Sequence, residues 1–349
     1  MKQNHTKIFA GGMLLFLTLM LLGCAKQNVP TACFYAQGYL KDECVAEVDG
    51  ARYAFLPREG EQARLYLYEL DENGGKKRIV CNRKDCLHEK QSTLIDPCYA
   101  YSVCTQGLTT DGKALYAQSK NGDIGVMRFD IYGGEPKNVL RQDGQITCFL
   151  VNDGMIYWAL RTKSDQHVLY RRNIEKAEAQ AECVLPEEDG GYYAEIREQN
   201  GTLYLTEGKT AEDRMRLLCI GADKKSEMIL ENICAHTFVF MKNGFAVAKV
   251  DEEGNRLAVL LSEEGQTVTE VSLGQNPCMM LSCGEKIYVD SGFGLSEETR
   301  MLYALNEDGK ELGKIAVPDD YGYMLGADHD GVYYWETAEQ LKLVRIEPK

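Results

Sequence analysis

The sequence lacks an excess of basic charge: 39 Lys and Arg stand against 53 Asp and Glu, a net charge of −14. Nucleic-acid phosphates need a basic surface, so that class of partner is excluded. No Gly-x-Ser-x-Gly elbow and no phosphate-cradling glycine loop occurs. The local signatures of serine hydrolases and nucleotide-binding loops are therefore missing. The 13 cysteines contain no Cys-x-x-Cys, which argues against a redox enzyme of that type. The acidic runs Glu187-Glu188-Asp189, Asp251-Glu252-Glu253 and Asp319-Asp320 lack the alternation and closing Glu of a calcium loop. They read as solvated turns. Helical periodicity is scarce as well. Ile174–Glu182 alone has helical propensity, and it reads as a polar loop, with a short helix as the alternative.

The apolar run Ile8–Leu22 carries no charge, but its 15 residues fall short of a comfortable bilayer span. Lys2 and Lys7 precede it and Leu21-Leu22-Gly23-Cys24 closes it. That is the layout of a secretory signal, and its end resembles the lipobox of bacterial lipoproteins. The resemblance implies cleavage after Gly23 and acylation of Cys24, palmitate-like chains on the sulfur serving as a membrane anchor. Acyl chains bury their methylenes in lipid and hold a soluble domain at the surface. The alternative is an uncleaved signal anchor with an ordinary Cys24 thiol. The expected organisation is a signal peptide over 1–23, a lipidated tether over 24–31 and a folded domain over 32–349. Location at the bacterial cell envelope, outside the cytoplasm, follows. The mature chain would carry 37 basic and 53 acidic residues, so the lipid on Cys24, and no polybasic patch, would make the membrane contact.

The body repeats one pattern. A hydrophobic stretch runs into a glycine-containing turn, followed by a strand with Tyr or a bulky partner, a polar gap and a Leu-Tyr-like strand. The turn glycines are Gly50, Gly112, Gly154, Gly201, Gly244, Gly284 and Gly331, at steps of 62, 42, 47, 43, 40 and 47. They lead into Tyr53-Ala54-Phe55, Leu115-Tyr116-Ala117, Ile156-Tyr157-Trp158, Leu203-Tyr204-Leu205, Ala246-Val247-Ala248, Ile287-Tyr288-Val289 and Tyr333-Tyr334-Trp335. Glycine accepts the positive φ that tight hairpins demand. The period within each unit is two, which excludes helical solenoids. A repeat of 40 to 47 residues holding four short strands points to β-propeller blades. The expected fold class is all-β, a single seven-bladed β-propeller. Six blades plus an irregular N-terminal unit is the alternative. The last unit has no outer strand after Ile346, and Ala32–Tyr39 is expected to complete it and close the ring.

Ile156-Tyr157-Trp158-Ala159 and Tyr333-Tyr334-Trp335-Glu336 resemble degenerate YWTD-type propeller repeats. Trp-Asp repeat endings, sialidase Asp-boxes and the double glycines of kelch blades are absent. The chain as a whole resembles uncharacterised bacterial lipoproteins with degenerate propeller domains. That group implies a fold and an address but no activity.

The first step exceeds the others because of an insertion over 80–104, which holds Cys81, Cys86, His88, Cys98 and Cys104. Its Cys-x4-Cys-x-His-x9-Cys run resembles a segment recurring in those lipoproteins. One reading is a structural Zn²⁺ site made by Cys81, Cys86, His88 and Cys98, since three thiolates and an imidazole suit tetrahedral zinc. The second is a set of disulfides among Cys81, Cys86, Cys98 and Cys104, in keeping with export. Unpaired thiols are the third. Cys148, Cys219 and Cys234 lie in apolar strands and read as small hydrophobes. Cys33 and Cys44 are candidates for a pair. His167 and His236 read as surface or packing residues, and Asp330-Gly331 beside His329 as turn chemistry.

No catalytic residue is assigned. Carboxylate pairs for glycoside cleavage need closeness in space, which sequence does not reveal. A propeller-linked peptidase would need roughly 200 further residues for its hydrolase domain. The expected function is an envelope-anchored scaffold binding a protein, peptide or glycan, with enzymatic activity left open. The alternatives are an extracellular carbohydrate-active hydrolase or lyase, and a structural accessory subunit of an envelope complex.

Overall fold

Two-residue turns organise the chain into consecutive hairpins. Asp49-Gly50, Asp153-Gly154 and Asn200-Gly201 have positive φ at both positions, the condition for type I′ turns that match strand twist. The computed structural model describes residues 32–34 and 45–345, apart from 59–60, 72–74, 87, 89–97, 103–105, 120–124, 165, 177–179, 190, 210–214, 222, 235–236, 293–299, 319–320, 323, 329–330 and 338–339. The expected signal peptide, tether and Cys24 lie outside the described residues, as do Cys44, Cys104, His236 and His329.

The strand β1 (Ala32–Phe34) comes first. One sheet then holds β2 (Val45–Val48), β3 (Ala51–Arg58), β4 (Glu61–Leu70) and β5 (Lys76–Ile79), with β6 (Tyr101–Ser102) also on β4. The next holds β7 (Gln106–Thr110), β8 (Leu115–Ser119), β9 (Gly125–Phe129) and β10 (Lys137–Arg141). A third is built from β11 (Gln145–Asn152), β12 (Met155–Arg161), β13 (Gln166–Asn173) and β14 (Glu182–Asp189). An eight-stranded sheet follows: β15 (Gly191–Gln199), β16 (Thr202–Lys209), β17 (Met215–Ile220), β18 (Ser226–Ile233), β19 (Val239–Met241), β20 (Gly244–Val250), β21 (Arg256–Leu261) and β22 (Thr267–Gly274). Its halves meet at a single pair, Ile233 with Lys249. Then come β23 (Cys278–Cys283), β24 (Lys286–Ser291), β25 (Met301–Asn306) and β26 (Glu311–Ala316). The last sheet holds β27 (Met324–Asp328), β28 (Gly331–Thr337) and β29 (Gln340–Arg345), with β1 added.

All pairings are antiparallel, and the described residues contain no helix. The expected strands that follow the turn glycines fall inside these elements, whereas of the expected Ala32–Tyr39 strand residues 35–39 lie outside the described residues. Of the stretch Ile174–Glu182, Ile174 and Glu175 form a turn and Glu182 opens β14, while residues 177–179 lie outside the described residues.

Both faces of inner strands such as β20 are buried, because alternate residues of one strand serve different cores. In β20, Phe245 and Val247 pack with Leu217 and Ile233 of the preceding strands. Ala246 and Ala248 pack with Met280 and Ile287 of the following ones. The same serial stacking joins β2–β5 to β7–β10, β7–β10 to β11–β14, β11–β14 to β15–β18, and β23–β26 to β27–β29. Sheets stacked face to face in chain order make a propeller-like arrangement. Arg52 of β3 lies 4.5 Å from the Tyr333 ring of β28, bringing the first and last sheets together.

One expectation needs correction. β1 does join the last sheet, but on β27, with Ala32 opposite Asp328 and Phe34 opposite Gly326. It adds at the edge opposite β29 and does not take the outer place. Residues 346–349 lie outside the described residues.

Candidate metal centre

The insertion starts and ends on one residue. Val80 donates its N–H to Leu67 O at 2.9 Å, and Leu67 donates its own N–H to Ala100 O at 2.8 Å. Cys81 directly follows Val80, and Cys98 precedes Ala100 by two residues. The chain therefore leaves and regains the edge of β4 at the same point, which places Cys81 beside Cys98. A tight turn then returns Cys86, whose N–H donates to Arg83 O at 3.2 Å. His88 adopts a left-handed φ of 52°, and its Nδ1 lies 3.4 Å from Cys98 Sγ.

The four ligand atoms of Cys81, Cys86, His88 and Cys98 all lie within 4.8 Å of one another. Atoms bound tetrahedrally to zinc at 2.0–2.3 Å would stand about 3.3–3.8 Å apart. The cluster is thus slightly open and needs only small side-chain shifts to close on an ion. Cys98 is buried and the other three are half-buried. Cys81, Cys86 and Cys98 pack on the core formed by Phe55, Phe129 and Ile131. A closed four-ligand site on an apolar floor has the character of a structural centre.

The thiols divide the work unequally. Burial opposes ionisation of Cys81, but hydrogen bonds to the Arg83 and Tyr99 backbone N–H groups and to the Cys98 and Cys86 thiols outweigh it. Its thiol is held below the usual range. Burial pushes the Cys98 thiol well up.

A second wall comes from the turn after β9. Asn82 donates its N–H to Gly133 O at 3.0 Å. A Cβ on Gly133, whose φ is 84°, would fall 2.8 Å from Cys81 Cα and Asn82 N. Neither Gly133 nor Leu67 is singled out in the sequence. The pair Gly133-Gly134 was the available signal for the first; Leu67, an ordinary strand leucine, offers none.

Among the other candidates, Cys81, Cys86 and Cys98 are free thiols, as are Cys148, Cys219, Cys234 and Cys278. His167 is 2 % exposed and packs edge-on against Tyr193 at 6.4 Å, a packing residue. The buried carboxylates Glu207 and Asp290 occupy equivalent places, six residues after Gly201 and Gly284. Each pairs with an arginine from the next strand segment, Arg216 and Arg300.

No protein family matches the chain, and no curated protein matches its sequence. Its fold is similar to those of solved structures. A prolyl endopeptidase aligns at TM-score 0.55 and 11 % identity, over 83 % of this chain and 44 % of its own. A Mycobacterium tuberculosis puromycin-hydrolyzing peptidase aligns at TM-score 0.54 and 8 % identity, over 78 % and 44 %. Porphyromonas gingivalis dipeptidyl peptidase 4 aligns at TM-score 0.50 and 13 % identity, over 88 % and 60 %. The chain spans about half the length of these peptidases. At such identity the likeness concerns the fold alone, a β-propeller-type all-β architecture.

Proposed function

We propose that this chain is a lipid-anchored extracytoplasmic protein whose seven-bladed β-propeller is a binding scaffold for a protein, peptide or glycan. In the count of seven, β15–β18 and β19–β22 are separate blades. The single pair between them, Ile233 with Lys249, supports that division. β2–β5 pair in the same order as the later groups, which favours seven regular blades over six and an irregular unit. The insertion carries one structural Zn²⁺ on Cys81, Cys86, His88 and Cys98, and the convergence of their ligand atoms supports this.

The observation that favours binding over hydrolysis is the state of two buried acids. Asp290 and Glu207 each face a guanidinium, and a carboxylate so neutralised is a fixed anion and a poor proton shuttle. The peptidase likeness of the fold carries no activity.

The address rests on Leu21-Leu22-Gly23-Cys24. Mass spectrometry of the mature N-terminus should find acyl chains on Cys24; a chain still starting at Met1 would sink this part. The binding role is tested by exposing the purified protein to envelope glycans and to envelope protein extracts. Saturable binding supports a scaffold, whereas turnover of a glycan without stable binding supports the hydrolase.

A further inference from the structure

Cys234 follows the last residue of β18, and its backbone is clamped. Its N–H donates to Ala248 O at 2.8 Å, and its carbonyl accepts the Thr237 hydroxyl at 2.8 Å. Thr237, wholly buried, also accepts the Ala248 N–H at 3.0 Å. Cys278 opens β23 opposite Ser291. The flanking Pro277 carbonyl accepts the Gly292 N–H at 2.8 Å. Forty-odd residues apart in the chain, the two cysteines pack in one apolar cluster with Leu273 and Met280. The two thiols act on each other's ionisation, and Arg256, at the start of β21, acts on that of Cys234. Arg256 is itself fixed by the Gln275 carbonyl. Cys234 is half-buried, while Cys278 is buried behind it.

We propose that Cys234 and Cys278 form a reversible disulfide, with Cys234 as the attacking thiol, Cys278 as the resolving thiol and Arg256 as the positioning residue. Packing supplies the parts: a half-buried sulfur, a buried one in the same apolar cluster, and an arginine, held by the Gln275 carbonyl, that acts on the first. The Cys278 hydrogen bond and the Arg256 charge hold the Cys234 thiol below its usual range against the effect of burial. By contrast, burial pushes up the thiols of Cys148 and Cys219. A low-pKa accessible thiol beside a resolving cysteine is the profile of a redox-sensitive pair.

The oxidant is a hydroperoxide. The Cys234 thiolate attacks one peroxide oxygen, the O–O bond breaks, and hydroxide or alkoxide leaves. Cys234 becomes a sulfenic acid. The Cys278 sulfur then attacks the Cys234 sulfur, the S–O bond breaks, and the Cys278 proton leaves with the hydroxyl as water. A thiol pair has lost two electrons and one S–S bond has formed. The bond ties the end of β18 to the start of β23 and encloses β19–β22 in the loop, so oxidation raises thermal stability. The zinc proposal is not used, and zinc content is a separate readout.

The test treats the full chain with hydrogen peroxide, blocks remaining thiols and maps peptides without reduction. The expected product links Cys234 to Cys278 and disappears on reduction. Cys278→Ser should halt at a Cys234 sulfenic acid trapped by dimedone, Cys234→Ser should give neither product, and Arg256→Gln should slow the reaction several-fold. A second measurement needs no variant. Limiting iodoacetamide should label Cys234 before Cys183, although Cys183 is exposed. Labelling of Cys183 with Cys234 untouched, or a link from Cys234 to any other cysteine, overturns the proposal.

Discussion

Asp290 and Arg300 set the terms on which charge enters this interior. Asp290 is 0 % exposed and Arg300 4 %. Arg300 Nε lies 2.9 and 3.1 Å from the two carboxylate oxygens, and Nη2 lies 2.5 Å from Oδ2. Its remaining donors reach Tyr321 O at 2.5 Å and Gly322 O at 2.7 Å, so every face of the pair is satisfied. Asp290→Asn strands a buried cation and should cost about 3–5 kcal/mol. A denaturant titration checks this, and an apolar double replacement of both residues should recover much of the loss. Glu69 gives the pH dependence. Burial raises its pKa, but Lys77 and Arg78, both at 2.5 Å, more than offset that and hold the carboxyl below the usual value of 4.5. A depressed folded pKa contributes stability above the unfolded value, lost as pH falls through the folded one. Stability should therefore decline on acidification below about pH 4.5, and less steeply in Glu69→Gln. Urea midpoints across that range measure it.

At the scale of the element, two glycines separate backbone preference from crowding. Gly50 has φ 74° with open space where a Cβ would stand, whereas a Cβ on Gly244 would fall 2.0 Å from Leu261 O. Gly50→Ala should cost about 1–2 kcal/mol from the left-handed backbone alone. Gly244→Ala must also push β20 off β21, and its melting temperature should fall further. In that hairpin Met241 pairs with Gly244, so the turn is Lys242-Asn243 and Gly244 is the first strand residue. The repeat was legible there, but the turn was misplaced by one position because either residue type serves such a turn. The Cys/His cluster makes a parallel point. Its four candidate ligands were legible as a local cluster of cysteines and one histidine. The wall behind them was not, because Gly133 meets them from another sheet. Gly133→Ala should raise zinc loss to a chelator on the order of tenfold, against about one zinc per chain in the parent, both read by metal analysis.

For the molecule as a whole, β1 matters more than its three residues imply. It covers the free edge of β27, and an uncovered edge invites pairing with other chains. A chain starting after Phe34 should melt lower and sediment as larger species. The core is a series of clusters between consecutive sheets, so a loss at one interface is felt mainly by its two neighbours.

Strand positions, hairpins, the repeat period and the acidic surface were set by the sequence alone, because turn chemistry and the two-residue alternation act over a few neighbouring positions. Tertiary structure decided the rest. It put β1 on β27 and not beyond β29, joined Cys81 to Cys98 through Leu67, gave Asp290 and Glu207 their arginines, and brought Cys234 to Cys278. These are choices between residues of similar type far apart in the chain. Hydrophobic burial drives the sheets together without direction, and only the packed arrangement of their side chains fixes which partners meet.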